Sequence, residues 1–249
     1  MLVIGTPRRA RVGKVKRAFW RGSLLMVLLL TTGCNSETLF KSNFDATAVN
    51  QPPAFMQEVG SVTVDGTVLV QVIPSTNLKG VQFDPLSSPN NTELRGELVD
   101  PQGNGTYVFS TALYWPSNSG GIITIWFDWP PGVISPGTQS NAAFGAEPDF
   151  MHLDFIGGGV RINDDDSTTF GTVPRDQLFI VQVTLNINAS PSAHIVLAGA
   201  GASGEADYKI GPDSPTTQLQ FGAVRISTVL FADIQTFYAT NIVVTRQLP

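Results

Sequence analysis

The chain has 249 residues, with 15 Lys and Arg against 20 Asp and Glu, and its charges are unevenly spread: seven basic residues stand before residue 22, and no acidic residue precedes Glu37. From Cys34 onward eight basic residues face all 20 acidic ones, a formal charge near −12, which argues against nucleic acid because no Lys/Arg stripe remains to displace phosphate counterions. A single cysteine forbids an internal disulfide, and two histidines leave little imidazole chemistry to distribute.

The first segment carries Arg8, Arg9, Arg11, Lys14, Lys16, Arg17 and Arg21, followed by an unbroken apolar run from Leu24 to Leu30. Seven apolar residues fall far short of the roughly 20 that a bilayer-spanning helix needs. A basic stretch followed by a short apolar one reads as a signal peptide. Small residues Thr31, Thr32 and Gly33 then lead to Cys34. This segment resembles a bacterial lipoprotein signal with its lipobox. The resemblance implies that the Cys34 thiol is alkylated by diacylglycerol and becomes the new N-terminus, anchored in a membrane. Asn35 in the next position implies sorting to the outer membrane of a bacterial envelope. The expected division is a signal peptide over 1–33, a lipidated tether over 34–43 and one domain over 44–249.

Within that domain, apolar residues alternate and turn dipeptides punctuate them. "VGSVTVDGTVLVQVIP" sets Val62 and Val64 before Asp65-Gly66, then Val68, Val70 and Val72, and predicts a hairpin with a two-residue turn. Further strands are expected over 106–115, 121–129, 149–156, 177–188, 193–200, 221–228 and 236–246. No convincing helical stripe of ten or more residues follows Cys34. Many short strands joined by Gly, Pro, Asn and Asp predict an all-β fold of two antiparallel sheets packed face to face.

"LFKSNFD" near the start and "FYATNIVVTR" at the end are similar to the opening and closing strands of concanavalin A-like and laminin-G-like jelly rolls. The resemblance implies that these strands pair, and that the domain is a jelly-roll β-sandwich of a kind used by glycan-facing enzymes and binding modules. Function must still be argued from a site.

Residues two apart in a strand share a face. One face of "IITIWFDW" carries Thr124, Trp126 and Asp128, and one face of "DFMHLDFI" carries Phe150, His152 and Asp154. Aromatic rings beside hydrogen-bonding groups suit a sugar, whose C–H face stacks while its hydroxyls take polar partners. Trp126, Asp128, Phe150, His152 and Asp154 are therefore the expected ligand contacts, although mixed faces of this kind also occur on ordinary outer sheet surfaces. The favoured reading is a non-catalytic module that binds a neutral glycan or another envelope component such as a protein.

Two alternatives remain open. "EPDFMH" is similar to the catalytic strand of laminarinase-like jelly-roll glycosidases, which implies Glu147 as nucleophile, Asp149 as assisting carboxylate and His152 where that family has its acid/base glutamate. Retaining hydrolysis requires two carboxyl groups about 5–5.5 Å apart. A structural envelope lipoprotein without a ligand is the other. No Gly-x-Ser-x-Gly elbow is present. Asp164, Asp165 and Asp166 in "NDDDS" offer oxygen ligands for Ca²⁺, against the simpler reading of a solvated acidic turn. No other cofactor is expected.

Overall fold

The structure, a computed structural model, describes residues 35–53, 60–65, 67–84, 92–130, 149–211, 219–229 and 236–249. The leader, Cys34 and Glu147 lie outside the described residues. In chain order the strands are β1 (Ser36–Ser42), β2 (Ser61–Asp65), β3 (Val68–Val72), β4 (Lys79–Phe83), β5 (Glu93–Gln102), β6 (Gly105–Tyr114), β7 (Ile122–Asp128) and β8 (Asp149–Ile156). Then come β9 (Gly159–Ile162), β10 (Asp165–Phe170), β11 (Leu178–Ile187), β12 (Ser192–Gly199), β13 (Gly204–Lys209), β14 (Phe221–Val229) and β15 (Phe237–Gln247). They build two antiparallel sheets. One has eight strands, ordered β13-β12-β11-β6-β15-β4-β3 with β1 also on β15; the other has seven, ordered β10-β9-β8-β7-β14-β5-β2. The two packed antiparallel sheets expected from the alternating runs, and the jelly roll that the resemblance implied, are the fold observed.

The period of two decides which side chains meet between the sheets. Phe179, Val181, Val183, Leu185 and Ile187 of β11 are buried, as are Ile123, Ile125 and Phe127 of β7. Aromatic pairs bridge the layers: Phe109 meets Phe127 edge-on at 5.4 Å, and Phe155 lies 6.0 Å from Phe179. Each such side chain contributes on the order of 1.5–3 kcal/mol by leaving water. At one end Phe40 of β1 reaches across to the other sheet, where a Cβ on Gly96 of β5 would meet its ring at 2.7 Å. Only glycine fits that approach.

Two tight turns place the elements that matter below. Gly157 and Gly158, with φ of 60° and 90°, turn β8 into β9 in the left-handed geometry that matches strand twist. Asn163 and Asp164, with φ of 51° and 58°, turn β9 into β10, a conformation their short polar side chains tolerate. Asn163 is further fixed because its Oδ1 accepts the His152 backbone N–H at 2.8 Å and its Nδ2 donates to the Tyr208 hydroxyl at 3.0 Å.

The terminal strands pair as their resemblance implied, from Ser36 opposite Gln247 to Ser42 opposite Ile242. That pairing corrects the expected tether, since most of residues 34–43 is strand. The expected Val62–Val72 hairpin is also corrected. β2 pairs with β5 in one sheet, whereas β3 pairs with β4 in the other. The physical reason lies in β4, whose Val81 and Phe83 stand opposite Val70 and Val68 and extend their buried face. β2 and β3 thus bury valines into one core from opposite layers.

Candidate binding site

Of the polar and aromatic residues singled out in β7 and β8, all but Phe150 lie on the face of the seven-stranded sheet turned away from the eight-stranded one. Register lines them up in two rows. Trp126 stands between His152 on β8 and Arg225 on β14, and Arg225 in turn stands opposite Arg95 on β5. Thr124 stands between Asp154 and Ser227, with Arg161 beyond Asp154 and Glu93 beyond Ser227. Most of these side chains are buried despite facing outward.

Trp126 is flanked on both sides. The Arg225 guanidinium carbon lies 4.7 Å from its ring centroid, and the His152 ring lies 4.5 Å away at a 41° tilt. Its Nε1 donates to Ser227 Oγ at 2.8 Å. The indole is thereby held in one orientation, its polar tip satisfied.

Asp128 shares this face but is fully buried and clamped. Arg225 donates to it through Nε at 2.7 Å and Nη2 at 3.2 Å, and reaches Glu93 through Nη1 at 3.1 Å. Burial pushes the Asp128 carboxyl up to about 7, against the pull of Arg225 and Arg95. As a ligand contact Asp128 is corrected: both of its oxygens are engaged within the protein. Phe150 is corrected too. The register slips between Phe127 opposite Met151 and Asp128 opposite Asp149, and this bulge turns Phe150 into the core, where it packs on Phe127, Trp129 and Phe221.

His152 and Asp154 occupy the other side of Trp126. His152 Nδ1 pairs with Asp149 Oδ2 at 2.8 Å, while Nε2 faces Asp164 Oδ2 at 3.3 Å and Asp154 Oδ2 at 3.8 Å without forming a hydrogen bond. Burial works against the charged imidazolium, but the hydrogen bond and charge of Asp149, with Asp154 and Asp164, outweigh it and raise the His152 pKa. Burial raises that of Asp154, although Thr124 Oγ1 donates to its Oδ1 at 2.7 Å. Arg161 donates to Asp164 Oδ1 at 2.8 Å, Asp166 Oδ1 at 3.0 Å and Asp154 Oδ2 at 3.3 Å.

The three consecutive aspartates proposed for Ca²⁺ therefore do not converge. Asp164 and Asp166 turn to Arg161, whereas Asp165 Oδ1 accepts the Ser167 backbone N–H at 2.9 Å. Instead His152, Asp154 and Asp164 bring ligand atoms within 4.8 Å of one another, a set that could hold a metal ion. Of the expected glycosidase residues, Asp149 serves His152, and Glu147 lies outside the described residues. Arg95, Arg161 and Arg225 were not anticipated. The signal for Arg225 was a lone cation in the otherwise uncharged "FGAVRIST", sharing its parity with Ser227.

The chain matches no protein-family model and no curated protein. Solved structures do match it in fold. The carbohydrate esterase of Shiga toxin-encoding bacteriophage phi24B is similar with a TM-score of 0.53 and 11% identity, covering 86% of this chain and 100% of that one. Peanut lectin, solved with a 9mer peptide, has a TM-score of 0.50 and 13% identity, covering 86% and 99%. The fold is thus a lectin-like jelly roll.

Proposed function

We propose that this protein is a lipid-anchored lipoprotein of a bacterial envelope, held through Cys34 and sorted to the outer membrane, whose jelly roll binds a carbohydrate without cleaving it. The observation that carries the reading is Arg95. Its Nε and Nη2 are buried on the outer face of the seven-stranded sheet with no hydrogen-bond partner among the described residues, although Glu97 and Asp128 stand at ion-pair distances of 3.5 and 3.8 Å. Unpaired buried donors cost free energy, and a hydroxyl-rich ligand supplies the acceptors. Trp126, His152 and Asp154, on the adjoining strands, complete the contact surface. The fold shared with a lectin and a carbohydrate esterase supports the same class of ligand.

A glycan array probed with the full-length chain tests the reading directly. Binding should fall more than tenfold in Trp126→Ala, as expected of a buried aromatic anchor. Arg95→Met should weaken the same binding by more than any change in its melting accounts for, which separates ligand contact from folding. An array without a hit overturns the glycan reading, and release of reducing sugar from a bound glycan overturns the non-catalytic one in favour of the hydrolase. Cys34→Ala should turn a detergent-phase protein into a soluble one.

A further inference from the structure

We propose that His152, Asp154 and Asp164 form a binding site for a divalent cation of the zinc class, oriented by Asp149. The site shares His152 and Asp154 with the proposed glycan surface, but its test needs no glycan. It begins with the tautomer. A carboxylate is an acceptor only, so the Nδ1 that meets Asp149 at 2.8 Å carries the ring hydrogen, and the neutral ring presents a bare lone pair at Nε2.

That lone pair is aimed at Asp164 Oδ2 and Asp154 Oδ2. The His152 side chain is 9% exposed, and Nε2 is buried without a hydrogen-bond partner. Three electron-rich atoms thus face one another across a gap, Arg161 Nη2 donating to Asp154 Oδ2 at 3.3 Å while Nε2 has no donor on it among the described residues. A proton on Nε2 would be one remedy, but Asp164 Oδ2, although 3.3 Å away, does not stand where an N–H would meet it. A cation in the gap answers all three atoms at once.

The spacing fits zinc, and the donor set selects it. Tetrahedral zinc holds its nitrogen and oxygen ligands at about 2.0–2.1 Å, so two of them stand roughly 3.3–3.4 Å apart. The observed separations from Nε2 are 3.3 Å and 3.8 Å. An imidazole with two carboxylates suits zinc, whereas calcium takes six to eight oxygens. Arg161 keeps its 2.8 Å bond to Asp164 Oδ1, since the proposed ligand there is Oδ2, and Asp154 Oδ1 stays on Thr124; its longer 3.3 Å contact with Asp154 Oδ2 is the one the cation would replace. Asp149 on the far ring nitrogen is the carboxylate–histidine–metal arrangement that fixes a ligating imidazole. A fourth position remains for water.

Calorimetric titration of the full-length chain with ZnCl₂ tests this, with CaCl₂ as the comparison. One Zn²⁺ per chain should bind, Ca²⁺ should not compete, and Co²⁺ in its place should give the visible absorption of a tetrahedral ion. Asp164 is 60% exposed, so Asp164→Asn should fold normally, bind at least tenfold more weakly and lose the rise in melting temperature that zinc gives the wild type. Asp149→Asn, which touches no metal, should weaken binding by about 10–100-fold. His194 pairs with Asp207 on the exposed edge and is the obvious adventitious ligand. His194→Gln should change nothing. Absence of stoichiometric binding, binding unaffected by Asp164→Asn, or binding lost in His194→Gln overturns the proposal.

Discussion

Replacing Arg225 with methionine leaves the fully buried Asp128 carboxylate without its bidentate partner, keeps most of the side-chain volume and frees the half-exposed Glu93 to face water. Three charge-assisted hydrogen bonds, at 2.7, 3.1 and 3.2 Å, are lost together with the guanidinium over Trp126. Removing one partner of a buried ion pair costs about 3–5 kcal/mol, most of it the uncompensated charge that remains. The cost depends on pH with a definite sign. Asp128 has a folded value near 7, above its unfolded value of 3.8, so the folded state holds its proton more tightly and ionising it subtracts stability as pH rises through that window. Without Arg225 the folded value climbs further. Urea unfolding followed by tryptophan fluorescence should therefore show a penalty of about 3–5 kcal/mol at pH 8 that shrinks by up to about 1.4 kcal/mol at pH 5.5, the contribution of the one pH unit between the wild-type value near 7 and pH 8. Adding Asp128→Asn to Arg225→Met should recover much of the loss at pH 8. A penalty independent of pH, or a double variant no better than Arg225→Met alone, would refute a cost that comes from stranded charge.

Gly96→Ala should destabilise the domain by about 1–3 kcal/mol in the same assay, because the new Cβ would stand 2.7 Å from the Phe40 ring. Combining it with Phe40→Leu should return part of that loss, and full additivity would argue against the contact as cause. Deleting residues 236–249 removes β15, which bonds β6 along one edge and both β1 and β4 along the other. The truncated chain should aggregate or lose cooperative melting on heating, and a soluble monomer melting like the full chain would contradict the topology.

The strands legible in the sequence were those that bury one face and alternate cleanly. β8 was expected over the residues it occupies, and β7, β11, β12 and β15 to within a residue or two at either end. Those that escaped notice lacked that signal for separate reasons. β10 and β13 are edge strands of polar composition, DDSTTF and GEADYK, and β5 has Gly96 where an apolar core residue would have announced it. On the candidate site, parity placed Trp126, Asp128, His152 and Asp154 on one face. It failed at Phe150 because a bulge changes parity without changing composition. Parity also says nothing about which strand becomes a neighbour. The ion pairs of Arg225 with Asp128 and of Arg161 with Asp154 depend on adjacency between strands, and the first joins residues 97 apart in the chain.

β1 bears on how the domain would carry mechanical load. Only Asn35 separates Cys34 from the first ladder residue, and an extended residue spans about 3.3–3.6 Å, so almost no slack lies between the proposed anchor and the sheet. Tension along β1 is borne by its hydrogen bonds to β15 in shear, the rungs from Ser36 to Ser42 sharing it rather than opening one by one. β15 passes that load to β6 and β4, on either side of it in the same sheet. The seven-stranded sheet, with its buried charges, is not hydrogen-bonded to this path and meets it through packing such as Phe40 on Gly96. Load entering at β1 would thus run first along the ladders of one sheet and reach the other through side-chain packing alone.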